Sequence, residues 1–178
     1  MTTNRKSGRS RCTHASHSTT EQDSRYGKCR RLLRAAGAGN GAVMRVLVAD
    51  AVEAVCNRLK ELVREVPGVQ LVAVEADTNR FLERMRTTRP HVLLLGTRLE
   101  GASSFEALER LRGHLQGVAV VLLCDRLDGQ YLYHANALGA DYVLELSRDI
   151  ELLPSLLRQL ARTYAKQQDE KRGAVNGD

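Results

Sequence analysis

The chain is expected to fold as an α/β domain over residues 44–165, with a parallel β-sheet covered by helices on both faces. Two observations predict this class. Continuous apolar runs, such as residues 118–123, are typical of strands that are buried on both faces of a sheet. Between these runs, apolar residues recur at three- and four-residue spacing, which is the pattern of amphipathic helices. Five strand–helix units follow one another, and this alternation favours a three-layer α/β/α arrangement with five helices.

The first half of the domain is predicted from apolar spacing and from the residues that end each element. The first helix carries Val52 and Leu59 on one face, and Pro67 stops it. Asp77 or Thr78 is the expected N-cap of the second helix, because short polar side chains accept hydrogen bonds from the free N–H groups there. The predicted elements are a strand over 45–49, a helix over 52–66, a strand over 69–74, a helix over 78–87 and a strand over 92–95.

The second half follows the same logic. Ser103 and Glu106 have the three-residue spacing of a capping box, so the third helix is expected to begin beside them. Gly139 ends the fourth helix, and Pro154 lies in the early turns of the last helix, where proline is best tolerated near the first position. The predicted elements are the third helix, a strand over 118–123, a helix over 128–138, a strand over 141–144, a last helix from after 147 towards 165, and a disordered polar tail over 166–178.

Positive charge is concentrated in the first 43 residues. They hold nine Lys and Arg against two Asp and Glu, a net charge of +7, whereas the rest of the chain holds eighteen against nineteen, a net charge of −1. Because this segment has few large apolar residues, it is expected to be a disordered basic tail that could contact nucleic acid or anionic lipid. The nearly neutral body gives no electrostatic reason to expect a DNA-binding face. An alternative is that Met44 is the true start and residues 1–43 are a mis-assigned extension.

The cysteines and the apolar segments bear on metal binding and compartment. Cys12, His14, His17 and Cys29 are zinc-ligand types, but their spacing does not match the usual paired patterns, so they are predicted to be incidental. The other two cysteines lie in apolar contexts and are expected to be reduced. No apolar segment is long enough for a membrane span or has the form of a secretory signal, and a cytoplasmic location is predicted.

Four local patterns in the body resemble the receiver domain of bacterial response regulators. They are the first strand with its acidic end at 45–50, the third strand and its loop at 90–101, the opening of the third helix at 105–108, and the junction before the fifth strand at 137–142. Their order and spacing extend the resemblance over nearly all of residues 44–163. It implies a flavodoxin-like, doubly wound sheet with strand order 2-1-3-4-5, and a role in two-component or phosphorelay signal transduction.

The resemblance also implies where a phosphorylation site would lie, and most of the residues found there depart from the family. Receivers use an adjacent acidic pair and an acceptor aspartate to hold a magnesium ion, a hydroxyl residue at the end of the fourth strand, and a lysine after the fifth. Glycine has no side chain, so it cannot serve as the nucleophile. The matching positions hold Asp50 and Ala51 for the acidic pair, Gly96 for the acceptor, Cys124 for the hydroxyl residue, and Leu146, or by another count Glu145, for the lysine.

A degenerate site is therefore predicted, with no catalytic residue, no cofactor and no bound metal. Asp50 is the candidate for any surviving cation binding or atypical phosphorylation, and the alternative is that it caps the first helix. Cys124 is predicted to be an inert thiol, because Arg126 is the only close candidate for a positive charge that would lower its pKa.

Three tyrosines mark a possible contact surface. Tyr131, Tyr133 and Tyr142 are predicted on the fourth helix and the fifth strand. In receivers the fourth helix, fifth strand and fifth helix form the output and dimer face, and aromatic residues are favoured at interfaces. The resemblance thus implies a signalling partner, either a kinase or an output protein, or a second copy of the chain. Ordinary packing of these tyrosines is the alternative.

The leading functional hypothesis is a stand-alone pseudo-receiver that acts by protein–protein contact without phosphorylation and has no enzymatic activity. The first alternative is an atypical receiver that is still phosphorylated or binds a cation near Asp50. The second is nucleic-acid binding through the basic tail. An enzyme on the same fold is disfavoured, because the body has no glycine-rich phosphate loop after the first strand, no nucleophile–base pair and no metal-ligand cluster.

Overall fold

A computed structural model describes residues 42–111 and 113–175 of the chain. The expectations for the basic tail and its Cys and His residues fall on residues 1–41 or depend on them, and these lie outside the described part. The strands of the main sheet are β1 (Met44–Ala49), β2 (Val69–Glu75), β3 (Val92–Leu95), β4 (Ala119–Cys124) and β5 (Tyr142–Glu145). The helices that cover it are α1 (Glu53–Arg64), α2 (Thr78–Thr88), α3 (Ser104–Leu111), α4 (Gly129–Ala137) and α5 (Leu153–Val175).

The main strands form one parallel sheet in the order β2-β1-β3-β4-β5. The chain runs outward from β1 to β2, crosses back to β3 on the other side of β1, and then continues to β5. This doubly wound order places the topological switch point between β1 and β3, where ligands of such sheets usually bind. The predicted fold class and strand order are confirmed.

Apolar side chains fill the space on both sides of the sheet. On one face α1 and α5 bury Leu59 and Leu157, and on the other face α2 and α3 bury Phe81 and Leu108 beside α4. Every residue of β3 and β4 is buried, as expected for central strands between two helical layers. Truncating a leucine in such a core to alanine typically costs about 2–5 kcal/mol.

Both predicted helix caps are present. Asp77 Oδ1 accepts a hydrogen bond from the Arg80 N–H at 2.9 Å. Ser103 and Glu106 form the capping box: the Ser103 N–H donates to Glu106 Oε2 at 2.7 Å, and Ser103 Oγ accepts from the Glu106 N–H at 3.3 Å. These local bonds explain why α2 and α3 begin where the sequence predicts.

The segment after β5 differs from the single helix that was expected. It contains one α-helical turn (Leu146–Asp149) and a 3-10 turn (Ile150–Leu152) before α5 begins. Pro154 is the second residue of α5 and has no N–H to donate to the Ile150 carbonyl. The turns before it therefore do not join α5 in one regular α-helix.

The last helix also extends further than expected. α5 continues to Val175, which corrects the predicted start of an unstructured tail at residue 166. Residues 166–171 consist mostly of Lys, Gln and Glu, which are strong helix formers and lengthen the helix beyond its packed part. Within the described part of the chain, no helix is both long and apolar enough to cross a bilayer.

His91 joins three elements at the amino edge of the sheet. Its Nδ1 accepts a hydrogen bond from the Arg45 N–H at 2.9 Å, and its ring packs on Tyr164 of α5 with the centroids 4.0 Å apart. Burial, and secondly the charge of Arg45, lower the pKa of His91 to about 4. The ring is therefore neutral at pH 7, which matches its role as a hydrogen-bond acceptor.

Candidate functional site

The carboxyl ends of four strands bring Asp50, Gly96, Cys124 and Glu145 to one edge of the sheet, and we call these four residues the rim. Asp50 and Gly96 follow directly after the last paired residues of β1 and β3, so they lie side by side at the switch point. Cys124 and Glu145 are paired with each other at the ends of β4 and β5. These four positions therefore lie at one edge, as the doubly wound topology requires.

The side chain of Asp50 fills the space that a side chain at position 96 would need. A Cβ atom built on Gly96 would lie 1.5 Å from Oδ2, 2.3 Å from Cγ and 2.7 Å from Cβ of Asp50. Because carbon atoms pack at about 3.5–4.0 Å, any residue larger than glycine would overlap with Asp50 in this arrangement. Gly96 does not have the positive φ that would itself favour glycine. The neighbouring carboxyl group is thus what makes glycine necessary.

Asp50 is buried, with 1% of its surface exposed, and its carboxyl group is half satisfied by hydrogen bonds. Oδ1 accepts from the Val52 N–H at 2.6 Å, whereas Oδ2 has no hydrogen-bond partner among the described residues. Burial is the main effect and raises the pKa of Asp50, and the nearby charge of Asp125 raises it as well. The N–H groups of Val52 and Thr97 and the charge of Arg98 act in the opposite direction.

The loop after β3 folds over this edge as a small antiparallel hairpin, in which Arg98–Leu99 pairs with Ala102–Ser103. We call residues 98–103 the latch hairpin. The Arg98 carbonyl accepts a hydrogen bond from the Ala51 N–H at 2.9 Å. The backbone of Ala51 therefore holds the hairpin to the β1–α1 loop.

Glu100 at the tip of the latch hairpin attaches it to the β2–α2 loop. Its N–H donates to the Ala76 carbonyl at 2.8 Å, and its carbonyl accepts from both the N–H of Thr78 at 3.1 Å and the Thr78 hydroxyl at 2.7 Å. The Glu100 side chain is exposed and does not join the rim, and the buried side chain of Leu99 anchors the hairpin from below. The latch hairpin is thus bound on two sides by loops of neighbouring strands.

Of the two candidates for the lysine position, Glu145 is the one at the end of β5, and its carboxylate faces the loop after β4. Oε2 accepts a hydrogen bond from the Leu127 N–H at 3.3 Å, and Oε1 accepts from the Ser147 hydroxyl at 3.1 Å. Leu146 instead begins the following turn and packs against the core on the α1 and α5 side. The structure thus corrects the placement of Leu146 at the rim. The rim residue at the end of β5 is the acidic Glu145.

Cys124 is buried and its thiol points into the protein. Its Sγ lies 3.6 Å from the Leu144 carbonyl, to which the S–H donates. Burial, followed by the negative charges of Glu145 and Asp125, raises the pKa of Cys124 to about 12. Arg126 is exposed and is not among the groups that shift this thiol. These features agree with the predicted inert thiol, because the nucleophilic form of cysteine is the thiolate.

No group of three or more His, Cys, Asp or Glu side chains in the described residues is arranged to hold a metal ion. At the switch point, Asp50 supplies a carboxylate directly after β1, and the neighbouring positions Ala51 and Gly96 supply none. Magnesium favours several oxygen ligands in an octahedral arrangement. The residues present therefore do not fit the ion that the family uses.

The three tyrosines do not form one surface. Tyr142 is 8% exposed and belongs to the core on the α1 and α5 side, which corrects its place in the predicted contact surface. Tyr131 is half-buried and packs on Phe105, with the ring centroids 4.8 Å apart. Tyr133 is 72% exposed and is therefore the only one of the three that is mainly solvent-accessible.

Solved structures of receiver domains are similar to this chain. The receiver domain of a putative response regulator NarL from Mycobacterium tuberculosis aligns with a TM-score of 0.61 and 20% identity, covering 68% of this chain and 98% of that one. The isolated REC domain of RcsB from Salmonella enterica gives 0.60 and 16%, covering 65% and 86%. The chain has the fold of a response-regulator receiver domain.

Other solved receivers agree with this assignment of the fold. The response regulator domain of Thermotoga maritima CheB aligns with a TM-score of 0.57 and 19% identity, covering 68% of this chain and 96% of that one. No protein-family model matches the sequence, and neither does any curated protein. At this level of identity, the similarity carries the receiver fold and not the chemistry of its site.

Sequence reasoning found the rim positions but not the contact between Asp50 and Gly96. A usable signal was present in the strand alignment, because both residues immediately follow strands that are neighbours in the predicted order. The strand order therefore indicates that Asp50 and Gly96 lie side by side, but not which volume the Asp50 side chain fills. The latch hairpin had no comparable signal, since a two-residue pairing is set by loop contacts.

Proposed function

We propose that this protein is a receiver-like module of a bacterial two-component or phosphorelay system that acts by protein–protein contact and without phosphorylation. The observation that carries the proposal is the replacement of the acceptor side chain by Gly96, with the Asp50 carboxyl group in the vacated space. An acyl phosphate forms on a carboxylate side chain, and position 96 has none. The surrounding fold keeps the elements through which receivers contact other proteins.

Phosphorylation of Asp50 itself is the main alternative, and its surroundings argue against it. Phosphoryl transfer requires an accessible nucleophile and positive charge close to the transferred oxygens. Asp50 is 1% exposed, and its Oδ1 is bound to the Val52 N–H. At the end of β5, where the family has a lysine, Glu145 adds negative charge. Nothing in the described residues replaces the magnesium ligands that are missing.

The test is to incubate the full chain with a small phosphodonor and magnesium and to measure its intact mass. We expect no added phosphoryl group on the wild type. We also expect none on Gly96→Asp, because the new side chain would have to enter the space of Asp50. A conventional receiver treated in parallel must be labelled for the result to count. Efficient labelling of the wild type would refute the proposal.

The proposed partner surface is the exposed side of α4, centred on Tyr133. This aromatic ring is 72% exposed and lies 5.9 Å from the ring of His134. From Gly129 to Ala137 the helix contains no Asp, Glu, Lys or Arg, and interfaces are depleted in charge and enriched in tyrosine. The partner would be a kinase, an output protein or a second copy of the chain.

A pull-down with the full chain should lose its signalling partner in the Tyr133→Ala variant and keep it in Glu109→Ala, a control substitution at an exposed position of α3. Retention of the partner by Tyr133→Ala would place the contact elsewhere.

The proposal assigns no enzymatic role, and within the described residues the Cys124 thiol at the rim has its pKa raised to about 12. The proposed compartment is the cytoplasm, which suits the two free, buried cysteines of the described part of the chain.

A further inference from the structure

Asp50 and the latch hairpin form a connected unit around the vacant side-chain position of Gly96. Oδ2 of Asp50 lies 1.5 Å from the place of the absent Cβ, and Oδ1 holds the Val52 N–H at 2.6 Å. The intervening Ala51 N–H binds the Arg98 carbonyl of the hairpin at 2.9 Å. The end of β1, the end of β3 and the hairpin are therefore linked through adjacent residues.

We infer that the Asp50 carboxyl group is a built-in plug that fills the volume of the missing acceptor side chain and holds the latch hairpin in one closed conformation. The inference rests on the proposed function, since a module that receives no phosphoryl group needs another means of fixing this edge of the sheet. It goes further by naming the group that fixes it. The contact surfaces of the module would then be permanently in one state.

Volume, rather than negative charge, is the property that the plug requires. Oδ2 has no hydrogen-bond partner among the described residues, and the N–H groups of Val52 and Thr97, which lower the pKa of Asp50, are outweighed by burial. Burial also raises the pKa of Asp50, which means that the site disfavours the ionised form. An asparagine has nearly the same shape and keeps an oxygen for the Val52 N–H. It should therefore replace Asp50 as a plug, whereas alanine should not.

The hairpin bonds provide a direct readout, because the N–H groups of Ala51, Thr78 and Glu100 are all donors in them. Hydrogen exchange measures the local opening of such bonds. In the full chain, Asp50→Ala should speed exchange at these amides by about tenfold or more relative to amides of β4. Asp50→Asn should stay within about threefold of the wild type, as should the matched control Asp125→Ala, which removes an exposed carboxylate. Wild-type exchange in Asp50→Ala would overturn the inference.

A second variant covers the case in which Asp50→Ala unfolds globally and all amides lose protection together. It swaps the residue types at positions 50 and 96. The double variant Asp50→Gly, Gly96→Asp returns a carboxyl group to the same volume from the neighbouring strand. It should restore slow exchange in the hairpin, and failure to do so would contradict the plug. Intact mass after phosphodonor treatment is measured separately on the wild type, so failure of the proposed function is distinguishable from failure of this inference.

Discussion

Replacing Gly96 with alanine should destabilise the protein through a clash with one identified side chain. The added methyl carbon would lie 2.3 Å from Cγ and 2.7 Å from Cβ of Asp50. Rotation of Asp50 about χ1 can move Cγ and Oδ2 away, but it leaves Cβ in place and breaks the hydrogen bond between Oδ1 and the Val52 N–H. The backbone must then shift by roughly 1 Å to reach a normal contact of about 3.5 Å.

The expected loss follows from these two effects. Overpacking a dense core costs about 1–3 kcal/mol, and losing a local hydrogen bond costs about 1 kcal/mol. We therefore expect Gly96→Ala to lower the free energy of unfolding by about 2–4 kcal/mol, a large fraction of the roughly 5–15 kcal/mol of a typical domain. The assay is urea denaturation followed by far-ultraviolet circular dichroism.

A double-mutant cycle with Asp50→Gly tests the cause of the loss. Because glycine removes Cβ, Cγ and Oδ2 together, Gly96→Ala should be far less harmful in that background, with a favourable coupling of about 2 kcal/mol. Gly113→Ala is the matched control, because a Cβ there meets no atom within 4 Å. If Gly96→Ala were as harmless as the control, or if the two changes were simply additive, the steric argument would be refuted.

Three further predictions concern other parts of the molecule. Because the pKa of His91 is lowered to about 4, its contribution to stability is present above the unfolded-state pKa of about 6.5 and is lost as the pH falls towards 4. Solvent screening of the partly buried ring keeps this loss below about 3 kcal/mol, and His91→Phe should show a flatter dependence of the urea midpoint between pH 7 and 4. Cys124 should resist iodoacetamide at pH 8 in the native protein and react in urea, and equal labelling in both states would contradict its burial. Ser103→Ala should lower the free energy of unfolding by about 1 kcal/mol through loss of the capping box, whereas no change in the urea midpoint would assign that cap no energetic role.

Local physical chemistry explains why much of the fold could be predicted from the sequence. The strand at 92–95 is apolar throughout because helices cover both faces of the sheet, and all four of its residues are buried in the structure, as predicted. Ser103 and Glu106 make their bonds within one helical turn, so their spacing alone identifies the start of α3. α5 extends past the predicted end at residue 165, because the polar residues that follow are mostly Lys, Gln and Glu, which are strong helix formers.

The candidate site was predictable as a set of positions but not as an arrangement. The sequence placed Asp50 and Gly96 at the ends of neighbouring predicted strands. Either Glu145 or Leu146 could match the lysine position when residues are counted along the sequence. The end of β5 at Glu145 decides which of the two faces the loop after β4. For Tyr142 the sequence left two alternatives, a contact surface and ordinary packing, and only the burial of the residue in the folded domain separates them.

The sequence by itself determined the layer architecture and the caps, because each of these depends on the type and spacing of neighbouring residues, and it showed that position 96 has no side chain. Only the tertiary structure decided that Asp50 occupies the space beside Gly96 and that the latch hairpin is bound to two loops. Those contacts join residues that are far apart in the chain, and their distances are set by strand pairing and by the volume left between side chains. Composition and spacing carry no information about that volume.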